Sequence, residues 1–304
     1  MGRTLFLSTA VLVSLAVAAT GWASVALARM VAEFHHHGVP IDMVRTFAER
    51  GWLAVSIDYT LSSVDRHLWD ITASQVGCAM AWTAASAARL GGDPARISLL
   101  GSSAGGNLAI NAAYLANAGR LESSCGGIVP RVSAVSVLYP PVDLAAAWVS
   151  KVPVISDMAR QFNTYYVGGS PQQFPDRYRF VASATYINAA APPTLVIFGE
   201  NDHLVPPEAT DRFVQQARSA GIDIESVRFP YGDHAFNLNQ YGVGNQKRSR
   251  SIASSPVYRR MQVSPQPSSW LPRPPHQHGR RRACHPVRSC PRDRRTRRSD
   301  PWKH

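Results

Sequence analysis

The stretch Ile97–Gly106, with the sequence ISLLGSSAGG, is the part of the chain that most strongly indicates its fold. Its first residues are typical of a short buried strand, and the residues from Asn107 to Ala118 suit a helix. Between them, Ser103 stands in a Gly-x-Ser-x-Gly pattern, in which glycines permit a strained turn because they lack a Cβ that would strike neighbouring backbone. Strand, tight serine turn and helix in succession predict an exposed nucleophilic serine.

Strands and helices alternate on both sides of this turn. Predicted strands cover Trp52–Ile57, Val132–Tyr139, Thr194–Phe198 and Asp223–Phe229, and predicted helices cover Asp42–Arg50, residues 69–89 and Pro207–Ala220. Because consecutive parallel strands need a crossover segment, the alternation predicts an α/β domain over residues 31–246, with a mainly parallel central sheet and helices on both faces. Parallel strands end at one edge of the sheet, where functional groups of such domains gather.

Two further strand ends carry the partners that a nucleophilic serine requires. Asp202 follows the strand Thr194–Phe198, and His234 follows the last strand. A serine hydroxyl is a poor nucleophile at neutral pH, so a histidine must take its proton and a carboxylate must orient the imidazole. We therefore predict Ser103 as nucleophile, His234 as base and Asp202 as acid. Taken singly, Asp202 fits a loop cap and His234 a surface loop histidine better than a catalytic role, and it is their joint order with Ser103 along the chain that favours the triad.

These motifs resemble the α/β-hydrolase family, and within it the bacterial esterases and lipases similar to hormone-sensitive lipase and to BD-FAE-like acetyl esterases. The resemblance covers about residues 42–246, and its motifs are DYTLS at 58–62, GGDPARI at 91–97, the serine turn at 101–106, YP at 139–140, GENDHLVP at 199–206 and GDHAF at 232–236. It implies an α/β-hydrolase fold that cleaves a small-molecule ester through an acyl-enzyme, without a metal or organic cofactor. Amides and acetylated sugars stay open as substrates.

The resemblance also implies an oxyanion site, and here the sequence departs from the family. The N–H of Ala104 belongs to the serine turn and supplies one donor. In such esterases a His-Gly-Gly-Gly loop supplies the second, so its nearest match makes His36, His37 and Gly38 the predicted oxyanion residues. Histidines replace two glycines, and losing one oxyanion donor costs on the order of 100-fold to 1000-fold in kcat. Impaired activity is therefore expected, and a catalytically dead hydrolase-fold protein is the main alternative.

The N-terminal segment, residues 1–30, is apolar or small from Leu5 to Ala28. A run of this length predicts a transmembrane helix, or a signal peptide ending at the Ala-Leu-Ala of residues 26–28, and a buried core helix is the third reading. Either of the first two predicts a membrane-anchored or secreted protein of the cell envelope. In an exported domain, Cys78 and Cys125 are candidates for a disulfide. The first strands of the family, and its last helix, are missing from the pattern.

Residues 144–190 interrupt the alternation with many aromatic side chains that follow no clear period. They predict either a lid over an apolar substrate pocket or a surface insertion that packs its own aromatics. The four cysteines, which include Cys284 and Cys290, have neither the spacing nor the neighbouring histidines of a metal site.

The C-terminal segment, residues 247–304, holds 16 of the 32 basic residues but only 2 of the 20 acidic ones. The segment therefore carries a net charge of +14 and the rest of the chain −2, so the overall +12 reflects this segment alone. Without an apolar period the segment is predicted to be disordered. A membrane-anchored nucleic-acid binder acting through this segment is a second alternative, but we expect no nucleic-acid partner.

Overall fold

The computed structural model describes residues 11–16, 47–48, 50–152 and 155–236. Its strands are β1 (Val11–Ala16), β2 (Trp52–Ser56), β3 (Ile97–Ser102), β4 (Val132–Leu138), β5 (Thr194–Gly199) and β6 (Ile224–Phe229). Its helices are α1 (Thr72–Ala87), α2 (Ala104–Asn117), α3 (Leu144–Trp148), α4 (Ile155–Val167), α5 (Pro175–Val181) and α6 (Pro207–Ser219), with 3₁₀ turns at Ala88–Leu90 and Ser183–Tyr186. Each predicted strand from Trp52 onward is present, with ends shifted by one or two residues.

The described strands form one sheet with the order β2-β1-β3-β4-β5-β6. The strands β3 to β6 are parallel, whereas β1 is antiparallel to both of its neighbours, so β2 runs in the same direction as β3. The predicted mainly parallel sheet is confirmed. Strand β5 is buried at every position, as expected for a parallel strand covered on both faces. The carboxyl ends of β3, β5 and β6 meet at one edge.

Strand β1 corrects the prediction for the N-terminal segment. A continuous hydrophobic helix from Leu5 to Ala28 does not form, because Val11–Ala16 is a strand that pairs with β2 on one side and with β3 on the other. It also precedes β2, so the prediction that the first strands are lacking is wrong at this point. A strand inside a sheet and a membrane helix need the same run of apolar residues, so composition did not separate them.

Several predictions concern parts of the chain outside the described residues. These are the helix Asp42–Arg50 for the most part, the last helix after residue 236 and the basic segment 247–304. Among the helices that the structure describes, none has both the length and the apolar composition needed to cross a membrane.

Helices α1, α2 and α6 pack on one face of the sheet. The buried side chains of this layer include Met80 from α1, Ile110 and Tyr114 from α2 and Phe213 from α6, against Leu99, Val137 and Val196 of the strands. Burying one such side chain contributes about 1.5–3 kcal/mol. On the opposite face, Leu100, Leu138, Leu195 and Ile197 are covered within the described part of the chain by Phe47 and Phe236.

A disulfide joins Cys78 of α1 to Cys125 in the loop after α2, with a Cα–Cα distance of 5.3 Å. The loop lies close against the helix, since a Cβ added to Gly77 would approach the carbonyl oxygen of Glu122 to 2.2 Å. The structure thus pairs the two cysteines that the sequence suggested as a candidate disulfide.

Replacing both cysteines, as Cys78→Ser with Cys125→Ser, is expected to lower the free energy of unfolding by about 2–4 kcal/mol, because the cross-link restricts the unfolded chain. The separation of 47 residues between the cysteines makes this restriction substantial. Urea denaturation followed by tryptophan fluorescence measures the change, and the wild-type protein treated with dithiothreitol should unfold at the same midpoint as the double variant. Equal stability of the oxidised wild type and the double variant would contradict the prediction.

Candidate active site

Ser103 occupies a sharp turn between β3 and α2. Its φ and ψ angles are 51° and −127°, a conformation that side-chain-bearing residues rarely adopt. The turn depends on Gly101, where an added Cβ would lie 2.1 Å from the carbonyl oxygen of Gly105. The Ser103 N–H donates to the Leu138 carbonyl at 2.9 Å, which ties the turn to the neighbouring strand β4. The predicted serine turn is therefore present, with the hydroxyl at the carboxyl edge of the sheet.

Of the predicted oxyanion residues, the structure describes Ala104. Ala104 is the first residue of α2, so no carbonyl of that helix accepts from its N–H. This N–H directly follows Ser103 in the chain, as the prediction requires. His36, His37 and Gly38 lie outside the described residues.

Asp202 lies in the loop after β5, and its side chain is only 1% exposed. One carboxylate oxygen, Oδ1, accepts hydrogen bonds from the N–H groups of Leu204 at 3.0 Å and Val205 at 2.7 Å. The other, Oδ2, is 2.9 Å from Nδ1 of His234. The two backbone donors fix the carboxylate so that its second oxygen faces the imidazole.

His234 lies after β6 and reaches both predicted partners. Its Nε2 is 2.9 Å from the Ser103 hydroxyl oxygen, while its Nδ1 faces Asp202. The ring of Tyr139 packs edge-on against the imidazole with 4.7 Å between ring centroids. Tyr139 itself has a φ of 40°, a left-handed conformation that places its ring beside the histidine. The structure therefore brings Ser103, Asp202 and His234 into one hydrogen-bonded line.

The loops that carry Asp202 and His234 approach each other unusually closely. A Cβ on Gly199 would lie 2.2 Å from the carbonyl oxygen of Gly232, so glycine is required at this crossing. The Asn201 N–H donates to that same carbonyl at 2.9 Å. In such an arrangement an imidazole can remove a hydroxyl proton while a carboxylate stabilises the resulting imidazolium.

Comparison with known families assigns the chain to one of them. The family model described as BD-FAE matches residues 30–216, which is more than half of the chain. The chain belongs to the BD-FAE family. A second model, that of the dienelactone hydrolase family, matches residues 178–261.

Two proteins of Mycobacterium tuberculosis are among the relatives of this BD-FAE-family chain. It is 31% identical over 192 residues to the probable carboxylic ester hydrolase LipM, covering 63% of this chain and 43% of LipM. It is 30% identical over 215 residues to the esterase LipQ, covering 70% of this chain and 48% of LipQ. The chain thus spans about half the length of the curated relatives it matches.

Solved structures of a Thermogutta terrifontis esterase share the fold. The propionate-bound form aligns with a TM-score of 0.54 and 23% identity, covering 70% of this chain and 75% of that one. The sarin-phosphonylated form aligns with a TM-score of 0.55 and 22% identity, covering 70% and 76%. These matches confirm the α/β-hydrolase fold that the sequence motifs implied.

Asp233 is a site residue that the sequence analysis of this BD-FAE-family chain missed. Its carboxylate accepts from the backbone N–H groups of His203 and His234 and pairs with the His203 ring. Burial acts to raise the pKa of the Asp233 carboxyl, but these hydrogen bonds from His203 and His234 outweigh it and hold the pKa below its ordinary value. The repeated Asp-His dipeptides at 202–203 and 233–234 were the signal that could have identified it.

Two buried asparagines of α2 were also missed. Asn107 donates to the carbonyls of Val181 at 3.0 Å and Pro141 at 3.1 Å, and Asn111 donates to the Val181 carbonyl at 3.0 Å. Asn107 follows Ser103 by four residues, so it links the nucleophile helix to the end of the 144–190 insertion. Amide side chains in a helix of alanine and leucine were the available signal.

The insertion 144–190 folds as α3, α4, α5 and the 3₁₀ turn at Ser183–Tyr186. Four of its buried side chains form a small core, made of Leu144, Val167, Tyr178 and Val181. Packed against this core are Trp148, Tyr166 and Phe174 of the insertion, together with Trp69 from the segment before α1. The insertion therefore packs its own aromatics, as one of the two readings expected. Its action as a lid stays a prediction.

Proposed function

We propose that this chain is a serine esterase that uses Ser103, His234 and Asp202. The observation that carries the proposal is the continuous line of contacts from carboxylate to imidazole to hydroxyl, with 2.9 Å at each step. The strained serine turn supports it, because such a turn presents the hydroxyl oxygen at the sheet edge.

The reaction follows from these contacts. The Ser103 Oγ forms a bond to the ester carbonyl carbon as its proton passes to Nε2 of His234, and the Nδ1–H donates to Asp202 throughout. The Ala104 N–H stabilises the developing oxyanion. Collapse of the tetrahedral intermediate breaks the bond to the alcohol, which takes the proton from His234 and leaves an acyl-Ser103. Water then attacks the acyl-enzyme by the same steps and releases the acid.

An ester is the substrate class that the relatives favour, since LipM is named a probable carboxylic ester hydrolase and LipQ an esterase. We propose short-chain or moderately apolar esters. The chain itself supplies all three reacting groups, so the proposal uses no metal or organic cofactor.

A fluorophosphonate probe tests the proposal, because it forms a covalent bond only with an activated serine. We expect one label on the folded wild-type protein, located in the peptide that contains Ser103, and no label on Ser103→Ala. Ser133→Ala, on strand β4 with an exposed side chain, is the matched control and should label normally. Hydrolysis of 4-nitrophenyl acetate should follow the same pattern. Labelling of Ser103→Ala, or folded wild-type protein that neither labels nor hydrolyses, would refute it.

We also propose that the domain works outside the cytosol, in the cell envelope or beyond it. The Cys78–Cys125 disulfide supports this, because disulfides persist mainly in oxidising compartments. Alkylation of free thiols in protein taken directly from cells distinguishes the cases, and two free thiols at these positions would contradict the proposal.

A further inference from the structure

We propose that Asp233 is a positioning residue. One of its carboxylate oxygens holds together the two loops that carry Asp202 and His234, the acid and the base of the triad. This inference rests on the proposed esterase function, since it concerns how that site is held together. Asp233 does not reach Ser103 in the described structure; it acts through His234 and through the residue after Asp202.

The geometry of one oxygen carries the inference. Oδ1 of Asp233 accepts the His203 N–H at 3.0 Å and the His234 N–H at 2.7 Å. The first N–H belongs to the peptide group that follows Asp202, and the second belongs to the peptide group that precedes His234. One atom therefore accepts from the N–H of His234 itself and from the N–H of the residue that follows Asp202, and the side chains of Asp202 and His234 meet at 2.9 Å.

The second oxygen completes a reciprocal arrangement of the two Asp-His dipeptides. Asp202 holds the ring of His234, while Oδ2 of Asp233 lies 2.8 Å from Nδ1 of His203. The inner pair is buried and the outer pair is half exposed, with 57% of the Asp233 side chain accessible. Asp233 is thus a local link between two loops and is not part of the hydrophobic core.

The loop that carries His234 needs such a link. Tyr231 and Ala235, three residues before and one residue after His234, have φ angles of 57° and 58°. This left-handed conformation is energetically unfavourable for residues other than glycine. The loop therefore keeps its shape only when surrounding contacts stabilise it. Without the Asp233 oxygen the loop is expected to relax and to carry the imidazole away from Ser103 or Asp202.

The consequence for catalysis is a change in kcat with little change in KM. Misplacing a catalytic group by about 1 Å costs up to about 100-fold in rate. Asp233→Ala should therefore lower kcat by about 10-fold to 100-fold on 4-nitrophenyl acetate, while KM stays within about twofold. Asp176→Ala, which removes an exposed aspartate of α5 that pairs with Arg179, is the control and should leave both constants unchanged.

Two further variants separate position from charge. Asp233→Asn keeps an oxygen at the same distance from the backbone but removes the charge, and we expect it to recover most of the activity lost in Asp233→Ala. Asp233→Glu keeps the charge but moves the oxygen outward by one methylene, and we expect it to resemble the alanine variant. Greater activity in the glutamate variant than in the asparagine variant would overturn the proposal.

A spectroscopic readout keeps this inference separate from the esterase proposal. The proton between His234 Nδ1 and Asp202 should give a far-downfield proton resonance in the wild type, which weakens or disappears in Asp233→Ala and persists in Asp233→Asn and Asp176→Ala. The resonance reports the contact and not the turnover, so it decides the role of Asp233 even if Ser103→Ala retains esterase activity. An unchanged resonance in Asp233→Ala would overturn the inference.

Discussion

Asp202→Asn is expected to lower kcat on 4-nitrophenyl acetate by about 10⁴-fold while leaving the fold intact. The asparagine Oδ1 can keep the two backbone hydrogen bonds from Leu204 and Val205, so its amide nitrogen must face His234. That nitrogen donates where the carboxylate accepted. Nδ1 of His234 must then be the unprotonated nitrogen, the ring proton moves to Nε2, and Nε2 can no longer take the proton of Ser103.

Steady-state kinetics together with circular dichroism check this result. Asp176→Asn, at an exposed position of α5, is the matched control and should retain the wild-type kcat. If Asp202→Asn stays within about tenfold of the wild type, the assignment of Asp202 is wrong and another group orients the imidazole.

Gly101→Ala is expected to destabilise the protein by more than about 4 kcal/mol or to prevent folding, a size of effect that few single substitutions reach. The added Cβ would lie 2.1 Å from the carbonyl oxygen and 2.5 Å from the carbonyl carbon of Gly105. Both atoms belong to backbone at the start of α2, and backbone cannot rotate away as a side chain can. Relief requires β3 and α2 to separate, which also displaces Ser103.

Gly106→Ala is the matched comparison within the same turn. Its Cβ would lie 3.0 Å from the Cβ and 3.3 Å from the Cα of Pro140, and 3.4 Å from the Gly101 carbonyl oxygen, contacts that a shift of a few tenths of an ångström relieves. We expect a loss of about 1–3 kcal/mol, typical of modest overpacking. Urea denaturation measures both variants, and similar losses at the two positions would contradict the argument that the backbone contact at Gly101 is decisive.

The strands after residue 50 were predictable because each is a short apolar run bounded by turn residues, and β3, β4 and β5 match within two residues. The structure of the N-terminal run was not predictable, because a membrane helix and a buried strand such as Val11–Ala16 share the same apolar composition. Asp233 and Asn107 were missed for a different reason. Some of their partners are backbone groups far away in the chain, the His203 N–H for Asp233 and the Val181 carbonyl for Asn107, and local sequence does not show which distant group a side chain will contact.

The sequence alone determined the strand and helix alternation, the serine turn and the chain order of Ser103, Asp202 and His234, because periodicity and steric demands act within a few residues. Only the tertiary structure decided that the three side chains lie within hydrogen-bonding distance, that β1 joins the sheet and that Asp233 bridges two loops. Distances between segments more than 30 residues apart depend on how strands twist and pack, and that packing is a property of the whole domain.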